Sequence, residues 1–172
     1  ILCYDKALTI EPEDSESWRS QGNSLLNLSR YEEAIVSYDK ALQFDPELLQ
    51  AWYNRGIALG ELGRNEEAII SYDKTLEIKP DYQDAWSSRG YAFLMLRRFN
   101  EALASFEKEM ESNLGSAYYD KACCYAVQNQ IDEAILNLQK AIEIDSEEYL
   151  NRAKTDSDLD NIRHDPRFQA LI

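Results

Sequence analysis

Acidic residues stand side by side at Glu32/Glu33, Glu66/Glu67 and Asp132/Glu133, with Glu101 at a matching place. A carboxylate pair is the smallest outfit for general acid and base work, in which one group gives a proton while its neighbour takes one. A reacting centre occurs once, whereas these pairs recur along the chain. Recurrence makes them first turns of successive helices, where negative charge suits the positive end of the helix dipole. His164 is the single histidine, and its neighbours Asp165 and Pro166 read as a helix start rather than as partners of a base. Cys123 and Cys124 are adjacent on a helical stretch with no histidine near them in sequence, so neither has the activating neighbour of a nucleophilic thiol. Cys3 brings the cysteines to an odd number without framework spacing, and no disulfide scaffold follows. One histidine and no Cys-x-x-Cys pair leave structural zinc without a ligand set, and the glycines are too scattered for a phosphate-binding loop. The expectation is a chain without catalytic residues, metal or cofactor.

The elements that carry these residues repeat. Trp18, Trp52 and Trp86 are 34 residues apart, as are Gly22, Gly56 and Gly90, then Ala34, Ala68 and Ala102, then Tyr38, Tyr72 and Phe106. Pro12, Pro46 and Pro80 close successive copies. A fixed period of this length marks an array in which each unit buries its apolar side against its neighbours. Apolar or small residues three and four apart place two helices in each copy, with Leu28, Ser29 and Arg30 as the first connecting turn and Gly63 and Asn129 at the equivalent places. The glycines are expected at a close approach of the two helices, with Ala34, Ala68 and Ala102 as the facing small residues.

This order of Trp, Gly, Ala, aromatic and Pro resembles the tetratricopeptide repeat. The resemblance implies an all-α fold, a right-handed superhelical solenoid of antiparallel helix pairs. Residues 1–14 align with the second helix of a truncated copy. Residues 15–48 and 49–82 are full copies, 83–114 is a shortened one, 115–148 a divergent one carried by Tyr118, Ala122, Tyr125, Ala134 and Leu138, and 149–172 a C-terminal cap. Departures stand at Gln21, Arg55 and Arg89, where the family carries Leu, and at Thr75 and Glu109, where it carries a small residue. The two missing residues of the third copy fall near Glu109 to Ser116, which predicts a shortened second helix or an altered turn. In the cap, Leu159, Ile162, Phe168 and Leu171 are expected on the inner side.

Eighteen basic against 32 acidic residues give a net charge of −14, with no cluster of Lys and Arg to offset it. Such a balance opposes binding to nucleic acid. No apolar run approaches the roughly 20 residues of a membrane span. A cytoplasmic location is the expectation. The chain starts inside a copy, and an edge formed by Ile1, Leu2, Tyr4 and Leu8 offers a route to self-association.

The resemblance further implies a groove lined by the first helices. Its faces fall on Arg19, Asn23, Tyr53, Asn54, Ile57, Tyr91, Leu94, Met95, Tyr119 and Cys123. Aromatic residues and Met are enriched on contact surfaces, so the expected function is a non-catalytic scaffold that binds a peptide segment of a protein partner. The alternatives are a self-associating structural array and the substrate-recruiting part of a larger enzyme. Family members that clamp a partner's C-terminal carboxylate use five polar places, of which Arg19, Asn23 and Asn54 match here. Asp84 and Ser88 occupy the other two, and Asp84 would repel a carboxylate.

Overall fold

The computed structural model describes residues 8–111 and 113–172, and all regular structure among them is helical. The edge residues Ile1, Leu2 and Tyr4 lie outside the described residues, while Leu8 is buried. In chain order the helices are α1 (Ser15–Asn27), α2 (Tyr31–Phe44), α3 (Leu49–Glu61), α4 (Asn65–Ile78), α5 (Gln83–Met95), α6 (Phe99–Glu109), α7 (Leu114–Val127), α8 (Ile131–Ile144) and α9 (Ser146–Thr155). A 3-10 helix (Ser157–Ile162) and α10 (Pro166–Leu171) follow. The chain divides into two compact units, residues 1–92 and 93–172, and the division falls inside α5.

In the first unit α1 packs on α2, α2 on α3 and α3 on α4. Each second helix buries one stripe, Ala34, Ile35, Tyr38, Ala41 and Leu42 in α2 and Ala68, Ile69, Tyr72, Thr75 and Leu76 in α4. That spacing is the 3.6-residue period of a helix with one apolar face. The group that faces the glycine is the aromatic ring, not the alanine expected from the sequence. A Cβ on Gly22 would lie 2.6 Å from the Tyr38 ring, and one on Gly56 would lie 2.5 Å from the Tyr72 ring. The connecting turns close through a left-handed residue, Ser29 at φ 56° and Gly63 at φ 71°.

Two polar ties repeat with the period. The indole N–H of Trp18, Trp52 and Trp86 donates to the carbonyl of Pro12, Pro46 and Pro80 at 2.8, 2.8 and 2.9 Å. Each first helix is thereby fastened to the turn that precedes it. Where the family carries Leu, Arg55 donates to Asp39 at 2.7 Å and to Ser71 at 2.8 Å, and Arg89 donates to Asp73 at 2.6 Å. In the first copy the Ser37 hydroxyl donates to the Gln21 carbonyl at 3.2 Å. A polar seam thus replaces an apolar one, with each buried polar group given a partner.

The second unit begins with a shortened helix, α6 having 11 residues against 14 in α8. Its turns are left-handed at Arg97 (φ 56°) and Asn129 (φ 59°). No Trp–Pro tie is available to α7, which starts instead on Asn113, whose side chain accepts from the Ser116 N–H. The core gathers α7 and α8 with α9 and the 3-10 helix, and Leu138, Leu159, Ile162 and Phe168 are fully buried in it, with Leu171 packed against them. Three aspartates start the closing elements. Asp145 caps α9, Asp156 caps the 3-10 helix and Asp165 caps α10 ahead of Pro166.

Candidate peptide-binding faces

The first-helix face of the first unit carries Arg19 and Asn23 on α1, Tyr53, Asn54 and Ile57 on α3, and Tyr91 on α5, and all six are partly exposed. Asn23 ties two copies together. Its side-chain carbonyl accepts from the Tyr38 hydroxyl at 2.9 Å and from the Asn54 amide at 2.8 Å. The Arg19 guanidinium is held by Glu16 at 2.7 Å. Tyr53 stands between two further rings, with centroids 6.0 Å from Tyr72 and 5.1 Å from Tyr82, both tilted. Tilted rings at such distances add attraction beyond burial. Burial is the main cause that raises the Tyr53 phenol above its ordinary value, with Asp84 and Tyr82 adding to it against a hydrogen bond with Ser88. Ser88, one of the two mismatched carboxylate-clamp places, is therefore already engaged within the chain.

In the second unit the expected open face is mostly closed. Leu94, Tyr119 and Cys123 are buried, and Met95 alone of the four expected residues is exposed, at 56%. For Tyr119 and Cys123 the physical reason is that the chain folds back on itself. The 3-10 helix packs on α7, the Tyr119 hydroxyl donates to Asp156 at 2.9 Å, and the Asn161 amide donates to the Ala126 carbonyl at 3.0 Å. Tyr149 stacks on Tyr119 at 5.5 Å. Tyr119 and Cys123 are thus core residues rather than surface for a partner.

The chemistry-bearing residues of the sequence also find their places here. Burial pushes the Cys124 thiol up to about 11, and burial followed by the nearby Asp156 raises Cys123 well above its ordinary value. Both remain thiols, the reverse of what a nucleophile needs. The Cys123 sulfur, Asp156 and Asp158 place donor atoms within 4.8 Å of one another, a grouping that no sequence spacing announced. There the thiol donates to Asp156 at 3.7 Å, as part of the cap's packing. Of these acidic residues, Glu33 and Glu67 receive the guanidinium of Arg30 and Arg64 from the turn before them at 2.6 Å, and Glu101 is paired with Arg98 in the same way. They are helix-start ion pairs. His164 is exposed in the turn before α10.

Four tetratricopeptide family models match this sequence, one described as TPR repeat over residues 22–63 and three described as Tetratricopeptide repeat over residues 3–36, 49–82 and 115–148. The chain belongs to the tetratricopeptide repeat family. Its fold class is an all-α repeat solenoid. Among solved structures, a tetratricopeptide repeat protein from Parabacteroides merdae is similar at TM-score 0.83 and 22% identity, over 98% of this chain and 68% of that one. MamA is similar at TM-score 0.79 and 23% identity, over 84% and 86%. YrrB, described as a TPR protein with an unusual peptide-binding site, is similar at TM-score 0.73 and 20% identity, over 98% and 91%. These likenesses show the fold. No curated protein matches the sequence. Among the described residues of this tetratricopeptide protein, no helix is long and apolar enough to cross a membrane.

Proposed function

We propose that this tetratricopeptide protein is a non-catalytic interaction scaffold, and that the first-helix face of residues 15–92 takes a peptide segment of a protein partner. The observation that carries the reading is what the chain does with its own tail. Residues 156–162 lie on the first-helix face of the fourth copy, where Tyr119 holds a carboxylate and Ala126 accepts from an amide. Tyr53, Ile57 and Gly60 occupy the same register in the second copy and are partly exposed. A face built to receive a short segment is therefore filled in one copy and open in another. YrrB, as a protein of this fold described with a peptide-binding site, supports the same class of function.

Within that face the roles divide by chemistry. Tyr53 and Tyr91 anchor apolar or aromatic side chains of the partner, as buried aromatic residues commonly do at interfaces. Asn23 and Asn54, with their carbonyl and amide groups partly spent on each other, orient the partner's backbone. The carboxylate-clamp mode is disfavoured by Asp84 and by the engaged Ser88. A peptide-library screen on the full chain, repeated with Tyr53→Ala, Tyr91→Ala and Arg19→Ala, tests the assignment. Either tyrosine variant should lose about 1 to 3 kcal/mol of affinity for the selected peptides, more than Arg19→Ala at moderate salt. Peptides that ignore both tyrosines and depend on Arg19 would overturn it.

A further inference from the structure

Where the family carries Leu in the first helix, this chain has arginine in the second and third copies, Arg55 and Arg89, but Gln21 in the first. The Arg55 guanidinium lies over the Trp52 ring, 5.9 Å from its centre, donates to the Ser71 hydroxyl at 2.8 Å and pairs with Asp39 on the preceding second helix at 2.7 Å. Arg89 repeats the arrangement one period on, 5.6 Å over the Trp86 ring and 2.6 Å from Asp73. A flat cation suits such a place, because it can stack on an indole and donate in its own plane at the same time.

The first copy keeps the place and lacks the arginine. Trp18 and Ser37 stand one period before Trp52 and Ser71. Ser37 is set as Ser71 is, its hydroxyl 3.1 Å from the Glu33 carbonyl where that of Ser71 is 3.2 Å from the Glu67 carbonyl. Gln21, shorter than arginine, is buried beside Ser37. A cavity of about 360 Å³ is left, lined by Trp18, Gln21, Leu25, Glu33, Val36 and Ser37. Among the described residues no cation lies over the Trp18 ring, in contrast to Trp52 and Trp86.

We propose that this cavity is a slot for the guanidinium of an arginine presented by a protein partner, supplying from outside what Arg55 and Arg89 supply from within the chain. The guanidinium stacks on Trp18 and donates to the Ser37 hydroxyl oxygen and the Gln21 side-chain carbonyl, both of them acceptors. Its methylene stem runs along Leu25 and Val36, the latter 60% exposed. Glu33 lines the cavity paired with Arg30, so the lining is neutral, and the net charge of −14 draws a cation rather than an anion toward it. One period before Asp39 the sequence carries Asp5, which lies outside the described residues. Lysine fits less well, since an ammonium neither stacks as a plane nor forks onto two acceptors. None of these residues belongs to the first-helix face, so the slot stands or falls independently of a peptide held there.

The three indoles give the test its own control. In NMR of the isotope-labelled full chain, the blocked tripeptide Gly-Arg-Gly should shift the Trp18 indole N–H saturably and leave those of Trp52 and Trp86 in place, because their rings are already covered. The blocked tripeptide Gly-Lys-Gly should bind at least about tenfold more weakly. Gln21→Arg, which gives the first copy the pattern of the other two, should abolish the Trp18 response. Equal movement of all three indoles, no movement of Trp18, or an undiminished response in Gln21→Arg overturns the slot. Should Gln21→Arg fail to fold, Ser37→Ala decides, because it must weaken the arginine peptide several-fold, and unchanged affinity overturns the slot as well. Free arginine binding more tightly than the tripeptide would assign the cavity to a small molecule and overturn the protein partner.

Discussion

The indole nitrogen of Trp52 lies 2.8 Å from the carbonyl oxygen of Pro46, six residues earlier. Proline ends the preceding helix because it has no N–H to continue it, and its free carbonyl then serves as the mooring for the next. Trp52→Phe keeps most of the apolar contact and removes this bond. It should cost about 1 kcal/mol in urea unfolding, the net worth of an ordinary hydrogen bond. Trp18→Phe and Trp86→Phe should cost similar amounts.

Gly56→Ala should be among the more damaging single changes in the first unit. The new methyl would sit 2.5 Å from the Tyr72 ring, which is nearly fully buried and cannot swing away freely. Overpacking of this kind costs about 1 to 3 kcal/mol. Pairing Gly56→Ala with Tyr72→Leu should recover part of the loss, so the double mutant will be more stable than the sum of the singles. Strict additivity in thermal unfolding would contradict the close approach.

Gly63→Ala isolates a backbone effect. Nothing lies within 4 Å of a Cβ placed there, yet φ is 71°. The cost should be about 1 kcal/mol, which is the penalty of left-handed backbone for a residue with a Cβ. Ser29→Gly, at φ 56° in the equivalent turn, should shift the midpoint in the opposite direction by a smaller amount.

Acid should loosen the end of the cap early. Hydrogen bonding from the Arg167 side chain and backbone holds the Asp165 carboxyl down at about 2. A depressed carboxyl contributes stability above the ordinary aspartate range and loses it as pH falls through that range toward the depressed value, so the start of α10 should loosen between about pH 4 and pH 2, while the buried Phe168 still holds the helix. NMR of the Phe168 ring reports the step. Asp165→Asn should remove its pH dependence while leaving the first unit unchanged.

How far the sequence could be read follows from which contacts are local. The period shows in markers 34 residues apart; the helix pairs, the left-handed turns at Gly63 and Asn129 and the apolar inner side of the cap rest on spacings within a few residues, and all of these were legible. Tyr119 and Cys123 were not. They share their register with Tyr53 and Ile57, and what distinguishes them is a segment some 37 residues further on that doubles back, Asp156 meeting Tyr119. No periodicity encodes such a return. The Trp–Pro bond lay between the two, because both residues were visible as markers but the direction of the chain between them was not.

The same doubling back sets where this array could grow. Every tie made by residues 49–82 reaches either inside that copy or into an adjoining one, as with Trp52 to Pro46 and Arg55 to Asp39. A tandem duplication of that stretch would meet matching partners at both seams, since Arg89 and Asp73 already repeat the pattern one period on. An array of this kind can therefore lengthen from within. Copying residues 115–148 would instead yield a member whose face has lost its own cover, a gain of exposed Tyr and Cys with no neighbour to hide them. Expansion and closure are written into different stretches of the one polypeptide.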